Sequence, residues 1–131
     1  MSKMLPFLMF QGGHAETAMS LYVALFEDGE ILDVTRRQKG EAGVEGSIKL
    51  ARFRAAGQGV MASDSPVKHA FDFTPSWPFF VDCKSGEEQE RLFAELSNSG
   101  EVLMPLSDYG FSKRFGWAAD RFGVSWQLNL A

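Results

Sequence analysis

Residues 4–10 are almost wholly apolar, and Gly12-Gly13 ends the run. A short apolar run with such a stop predicts a buried strand with both faces covered. Ala15, Met19, Tyr22 and Phe26 then recur at helical spacing until Glu27-Asp28-Gly29 breaks the pattern. Residues 30–38, EILDVTRRQ, mix β-branched and polar side chains and predict a strand, while three glycines in residues 39–46 predict a loop. Residues 47–54, SIKLARFR, alternate closely enough for a strand with one wet face, although the step from Leu50 to Phe53 spoils the period of two. AAGQG at residues 55–59 is a hairpin signal that leads into a short strand from Val60.

Turn formers and two prolines fill residues 63–76, SDSPVKHAFDFTPS, which makes this stretch the natural joint of the chain. A second round follows. Residues 77–83 predict an apolar strand, with Pro78 tolerated near its start or on an edge. Ser85 and Glu88 have the spacing of a capping box. Leu92, Phe93 and Leu96 give the next helix its buried stripe, and Gly100 stops it. Strands are then predicted over residues 102–106, 111–119 and 124–130. The order is strand–helix–three strands, twice. The chain therefore reads as an α+β fold, a single domain of 131 residues with halves at about 1–65 and 76–131. One half leaves a sheet face bare, so two halves or two chains must pair to cover it, and the paired curved sheets would enclose a cavity.

Strand alternation divides the last segment. Val124, Trp126 and Leu128 should pack under a helix, while Ser125, Gln127 and Asn129 share the opposite face. Ser125, Gln127 and Asn129, together with Ser76 or Phe80, are the candidate ligand-binding residues. The bland alternative is that they face water or a dimer seam.

Composition narrows the chemistry only a little. Thirteen basic against 17 acidic residues give a net charge of −4, which argues against a nucleic-acid partner. The single cysteine, Cys83, excludes an intrachain disulfide and a cysteine-based zinc cluster. It precedes a predicted helix start, where a thiol can become nucleophilic, but a small buried hydrophobe is the commoner role. His14 opens a predicted helix, and His69, with Asp64 and Asp72, falls in the proline-rich joint. Lys113 and Arg114 are candidates to clamp an anion. Trp77, Trp117 and Trp126 are core residues before they are stacking platforms. No apolar run approaches the length of a membrane span, and the N-terminal stretch lacks a cleavage site, so a cytoplasmic protein without a membrane partner is expected.

Four stretches carry a resemblance: FLMFQGGHAETAMSLYVALF, VMASDSP, FFVDC and YGFSKRFGWAADRFGVSWQLNL. Together they resemble the PhnB-like branch, often labelled demethylubiquinone methyltransferase-like, of the vicinal-oxygen-chelate superfamily of glyoxalase-like proteins. The resemblance implies paired βαβββ modules in a glyoxalase-like curved mixed sheet, and a homodimer. It also implies that the metal-ligand positions of the superfamily fall near Leu5, Ser76 and Gln127. Leucine cannot ligate, serine is a poor ligand and a neutral amide is a weak one. The expectation is a metal-free cavity, with no cofactor, that binds a small, partly apolar organic molecule. Two alternatives stay open. One is a metal-dependent lyase, isomerase or dioxygenase of the same superfamily, its metal held by residues such as His69, Asp64 or Gln127. The other is a methyltransferase, as the label of relatives suggests.

Overall fold

A computed structural model describes every residue from Met1 to Ala131. The chain divides into two compact units, Met1–Asp72 and Phe73–Ala131. Each has the order βαβββ, so the fold is α+β, as the hydrophobic pattern predicts. The first unit comprises β1 (Phe7–Phe10), α1 (Ala15–Leu25), β2 (Glu30–Arg36), β3 (Ile48–Ala55) and β4 (Gln58–Asp64). Its sheet runs β1-β4-β3-β2, with β1 parallel to β4 and the other pairs antiparallel. The second unit comprises β5 (Pro78–Asp82), α2 (Gly86–Ser97), β6 (Glu101–Ser107), β7 (Arg114–Ala119) and β8 (Ser125–Leu130). Its sheet repeats the arrangement as β5-β8-β7-β6, with β5 parallel to β8.

In the first unit α1 buries Ala15, Ala18, Met19, Tyr22 and Leu25. They meet a sheet face made by Leu8, Phe10, Ala51, Phe53, Val60 and Ala62, all buried, with the Tyr22 and Phe53 rings 5.9 Å apart. The helix covers only that face. Phe7 is 50% exposed, which corrects the expectation that the first strand is buried on both faces. Phe26 is also not helical as its spacing suggested. It leaves α1 in an extended conformation, and the chain then passes so close that a Cβ on Gly29 would lie 1.8 Å from the Val23 carbonyl oxygen.

The irregular step in SIKLARFR is a bulge. Register shifts between Thr35 and Arg36, which pair with Leu50 and Ile48 and leave Lys49 as the extra residue. The bulge returns Ile48 to the helix side, where it is fully buried. The start of α1 has no cap from its own neighbour His14. Asp64, at the far end of β4, supplies it: one carboxylate oxygen accepts from Ala15 N at 2.9 Å and the other from Ile48 N at 2.9 Å. A single buried carboxylate thus ties helix, bulge and strand end together.

In the second unit Ser85 caps α2 by accepting from Glu88 N at 3.1 Å. Glu88 reciprocates one residue further out than in the usual box, accepting from Lys84 N at 3.0 Å. Leu92 and Leu96 pack on the sheet, and so does Gln89, which is completely buried. Its amide donates to the Arg114 and Leu128 carbonyls and accepts from Arg114 Nε at 2.7 Å, so no part of it is left unpaired. The close approach requires Gly116, where a Cβ would sit 2.9 Å from the Phe93 ring. Asp120 organises the last turn: one oxygen accepts from Phe122 N and Val124 N, and the other from Trp126 Nε1 at 3.0 Å. Pro78 opens the edge strand β5, where its missing N–H costs no ladder bond.

Candidate functional site

Cross-strand partners project from the same face of a sheet, so register fixes what lies opposite α2. Val124, Trp126 and Leu128 are buried as expected. On the other face Gln127 pairs with Phe80 on β5 and with Trp117 on β7, which makes one row across three strands. Phe80 is 55% exposed, and Gln127 and Trp117 are half-buried. The next row holds Asp82, Asn129 and Phe115. Asn129 Nδ2 donates to Asp82 at 3.0 Å, while its Oδ1 is buried without a hydrogen-bond partner. Tyr109 and Phe111 stack edge-on against Phe115 at 6.2 and 5.0 Å and close that end of the face.

Phe80, Ser125, Gln127 and Asn129 therefore share a face, but their chemistry is unequal. Ser125 is 1% exposed; its hydroxyl accepts from Trp117 Nε1 at 2.8 Å and donates to the Pro75 carbonyl at 3.0 Å. It holds the Trp117 ring in place and has no proton left for a ligand. Ser76 lies outside β5 in an exposed turn, 3.2 Å from the Thr74 hydroxyl. Gln127 keeps both amide groups free of protein partners. Trp117 joins the Gln127 row and Asp82 the Asn129 row through register alone, which a reading of single strands does not supply.

In the first unit the face opposite α1 carries Phe7 and Met9 from β1, Met61 from β4, and Leu50 and Arg52 from β3. Arg52 is exposed on a central strand. It passes unnoticed in the sequence, since an Arg on a strand's wet face is ordinary.

The other candidates have structural roles. His69 Nε2 lies 3.0 Å from Ser65 Oγ beside a hollow of about 650 Å³. However, Ser65 also donates to the Val67 carbonyl at 2.7 Å, so the hydroxyl proton is engaged in the loop. His69 is further held by Gln11, whose Oε1 accepts from its backbone N–H, and by stacking on Phe71. Arg114, a candidate anion clamp, is committed to Gln89, Glu90 and the Gly86 carbonyl. Cys83 is buried, and burial followed by the Glu88 and Asp82 carboxylates pushes its thiol up to about 11, so it stays protonated near neutrality.

The metal that the fold family implies does not fit these residues. Leu5 offers no donor, Ser76 is bonded within its turn and Gln127 is a neutral amide. No group of three His, Cys, Asp or Glu side chains is arranged so that it could hold a metal ion.

Two units, each a helix on one face of a βαβββ sheet, define a glyoxalase-like fold. By fold it is similar to a structure of FosX from Listeria monocytogenes, a fosfomycin resistance protein bound to Mn(II) and 1S,2S-dihydroxypropylphosphonic acid. The two share 15% identity, cover 98% of this chain and 92% of that one, and superpose with a TM-score of 0.63, a likeness of fold alone. The chain belongs to the family described as 3-demethylubiquinone-9 3-methyltransferase, whose pattern matches residues 2–129. A Bacillus cereus protein labelled with that activity and as PhnB is 45% identical, covers 99% of this chain and 100% of its own, and superposes with a TM-score of 0.95. Protein YjdN of Escherichia coli is 29% identical over 84 residues, which span 64% of this chain and 56% of YjdN. The matched part is thus little more than half of that relative's length.

Proposed function

We propose that this chain binds a small, partly apolar organic molecule against a bare sheet face of a single unit, without a resident metal, and does so as a homodimer. The observation that carries the reading is the row Phe80–Gln127–Trp117, which α2 leaves uncovered. Aromatic rings flanking a free amide suit a ligand with an apolar body and a polar group. The unpartnered Oδ1 of Asn129 adds a buried acceptor that a ligand hydroxyl or amine would satisfy. The second copy follows from exposed apolar side chains on sheet residues, among them Phe7, Leu32, Val34, Phe80 and Val102. Another chain can remove these from water.

A metal-dependent reaction is the weaker reading because the donor set is missing. The methyltransferase label of the family finds no support in a site for a methyl donor. Gly12 and Gly13 do separate a strand from a helix, but their positive φ angles serve a tight turn.

Titration with the neutral dye Nile red tests binding. Saturable fluorescence is expected. Phe80→Ala should weaken it roughly ten- to a hundredfold, since burying one phenyl ring is worth about 1.5–3 kcal/mol. Absence of saturable binding in the wild type refutes the ligand reading. Sedimentation velocity tests assembly, and a species of monomer mass at all concentrations refutes the dimer.

A further inference from the structure

Arg52 lies on β3, between β4 and β2, and its row continues through Met61 to Phe7. Every other basic side chain on this sheet has a partner. Arg54 binds Glu30 at 2.7 Å, Arg36 binds Glu16 at 2.5 Å, and Lys49 binds Glu41. The adjoining Arg37 is turned inward onto Ser47 Oγ and the Ile48 and Asp64 carbonyls. Arg52 alone makes no ion pair and no side-chain hydrogen bond, although Asp33 is its register partner on β2.

Its setting matters. Phe7 and Leu32 on this sheet are 50% and 44% exposed, and Met9, Leu50 and Met61 are half-buried. Covering the face would strip water from a lone guanidinium, and a buried charge persists only when it is paired. A planar guanidinium on a rigid central strand offers two parallel donors to an acid group. Asp33 adds a negative charge on one side, which disfavours a second charge on whatever binds there.

We propose that Arg52 anchors the acid group of a molecule bound on the bare face of the first unit's own sheet, so that the ligand of that face is a small singly charged organic acid whose apolar body lies toward Met61 and Phe7. This assignment rests on the reading of the bare faces as binding surfaces, and it adds the charge of the ligand to that reading.

The test uses two dyes on the full chain: anilinonaphthalene sulfonate, a monoanion, and neutral Nile red. Arg52→Met should weaken sulfonate binding about tenfold or more and leave Nile red within about twofold, because the methionine keeps the apolar contact. Arg52→Lys should retain part of the sulfonate affinity. Asp33→Asn should tighten sulfonate binding, and added salt should weaken it in the wild type. Thermal unfolding of each variant checks that an exposed substitution has left the fold intact. Unchanged sulfonate binding in Arg52→Met, or an equal loss of both dyes, overturns the anchor while Nile red binding by the wild type upholds the apolar surface. A wild type that binds Nile red but not the sulfonate also overturns the anchor alone. A wild type that binds neither dye overturns both.

Discussion

Replacing Trp126 by alanine tests which way β8 faces, and the candidate site depends on that orientation. The indole is 4% exposed, lies 4.9 Å from the Phe79 ring, and donates Nε1–H to Asp120, itself only 3% exposed. Truncation should cost roughly 3–5 kcal/mol from lost burial and the cavity left behind. Trp126→Phe separates the two contributions. It keeps most of the apolar contact but withdraws a donor from a buried carboxylate, so about 1–3 kcal/mol is expected. Gln127→Ala, on the neighbouring residue of the same strand, removes no protein hydrogen bond and should cost less than about 1 kcal/mol. Urea unfolding monitored by far-UV circular dichroism measures all three, provided the denaturant slope is shared. Equal costs for Trp126→Ala and Gln127→Ala would refute the assignment of faces, and with it the row proposed to meet the ligand.

Three further outcomes are expected. At pH 8 a thiol held near 11 instead of 9.0 carries roughly a hundredth of the usual thiolate, so Cys83 should label at least that much more slowly with iodoacetamide than after unfolding; equal rates would contradict its burial. The Gly57 and then the Ala56 amides hold the Asp28 carboxyl below its ordinary 3.8, so its contribution is full above that pH and is lost as pH falls through the folded value. Asp28→Asn should flatten the acid limb of a stability–pH curve, and an unaltered limb would count against those bonds. Asp64→Ala leaves the Ala15 and Ile48 amides without their acceptor at roughly 1–2 kcal/mol each, so a total loss near 2–4 kcal/mol is expected in chemical denaturation, and a loss under about 0.5 kcal/mol would deny the cap.

The element order was legible because each module repeats short apolar runs, one helical stripe and glycine-marked turns. Boundaries were less so. Phe26 continues the apolar spacing of α1 but leaves the helix, because the backbone must turn there to bring Gly29 against Val23. The first strand looked buried on both sides because Phe7 and Met9 are as apolar as Leu8 and Phe10. Composition cannot show that a single helix covers only one face. The broken alternation in SIKLARFR was visible, but its cause, the extra residue Lys49, shows only in the pairing of β3 with β2.

Legibility of the candidate site failed for a different reason. Ser125, Gln127 and Asn129 are equivalent in an alternation pattern, yet the structure gives them three different chemical states. Ser125 spends its hydroxyl on Trp117 and Pro75, Asn129 satisfies half of its amide on Asp82, and Gln127 spends nothing. What distinguishes them is the accounting of partners from segments far apart in sequence. The same accounting singles out Arg52 among the cations of its sheet. Arg52 and Arg54 are indistinguishable as sequence, being alternate residues on one strand, but only Arg54 has a glutamate across the ladder within reach. Unspent hydrogen-bonding capacity on a bare sheet face is therefore the property that separates a candidate binding residue from a structural one in this fold. It is set by register, which the order of elements leaves open.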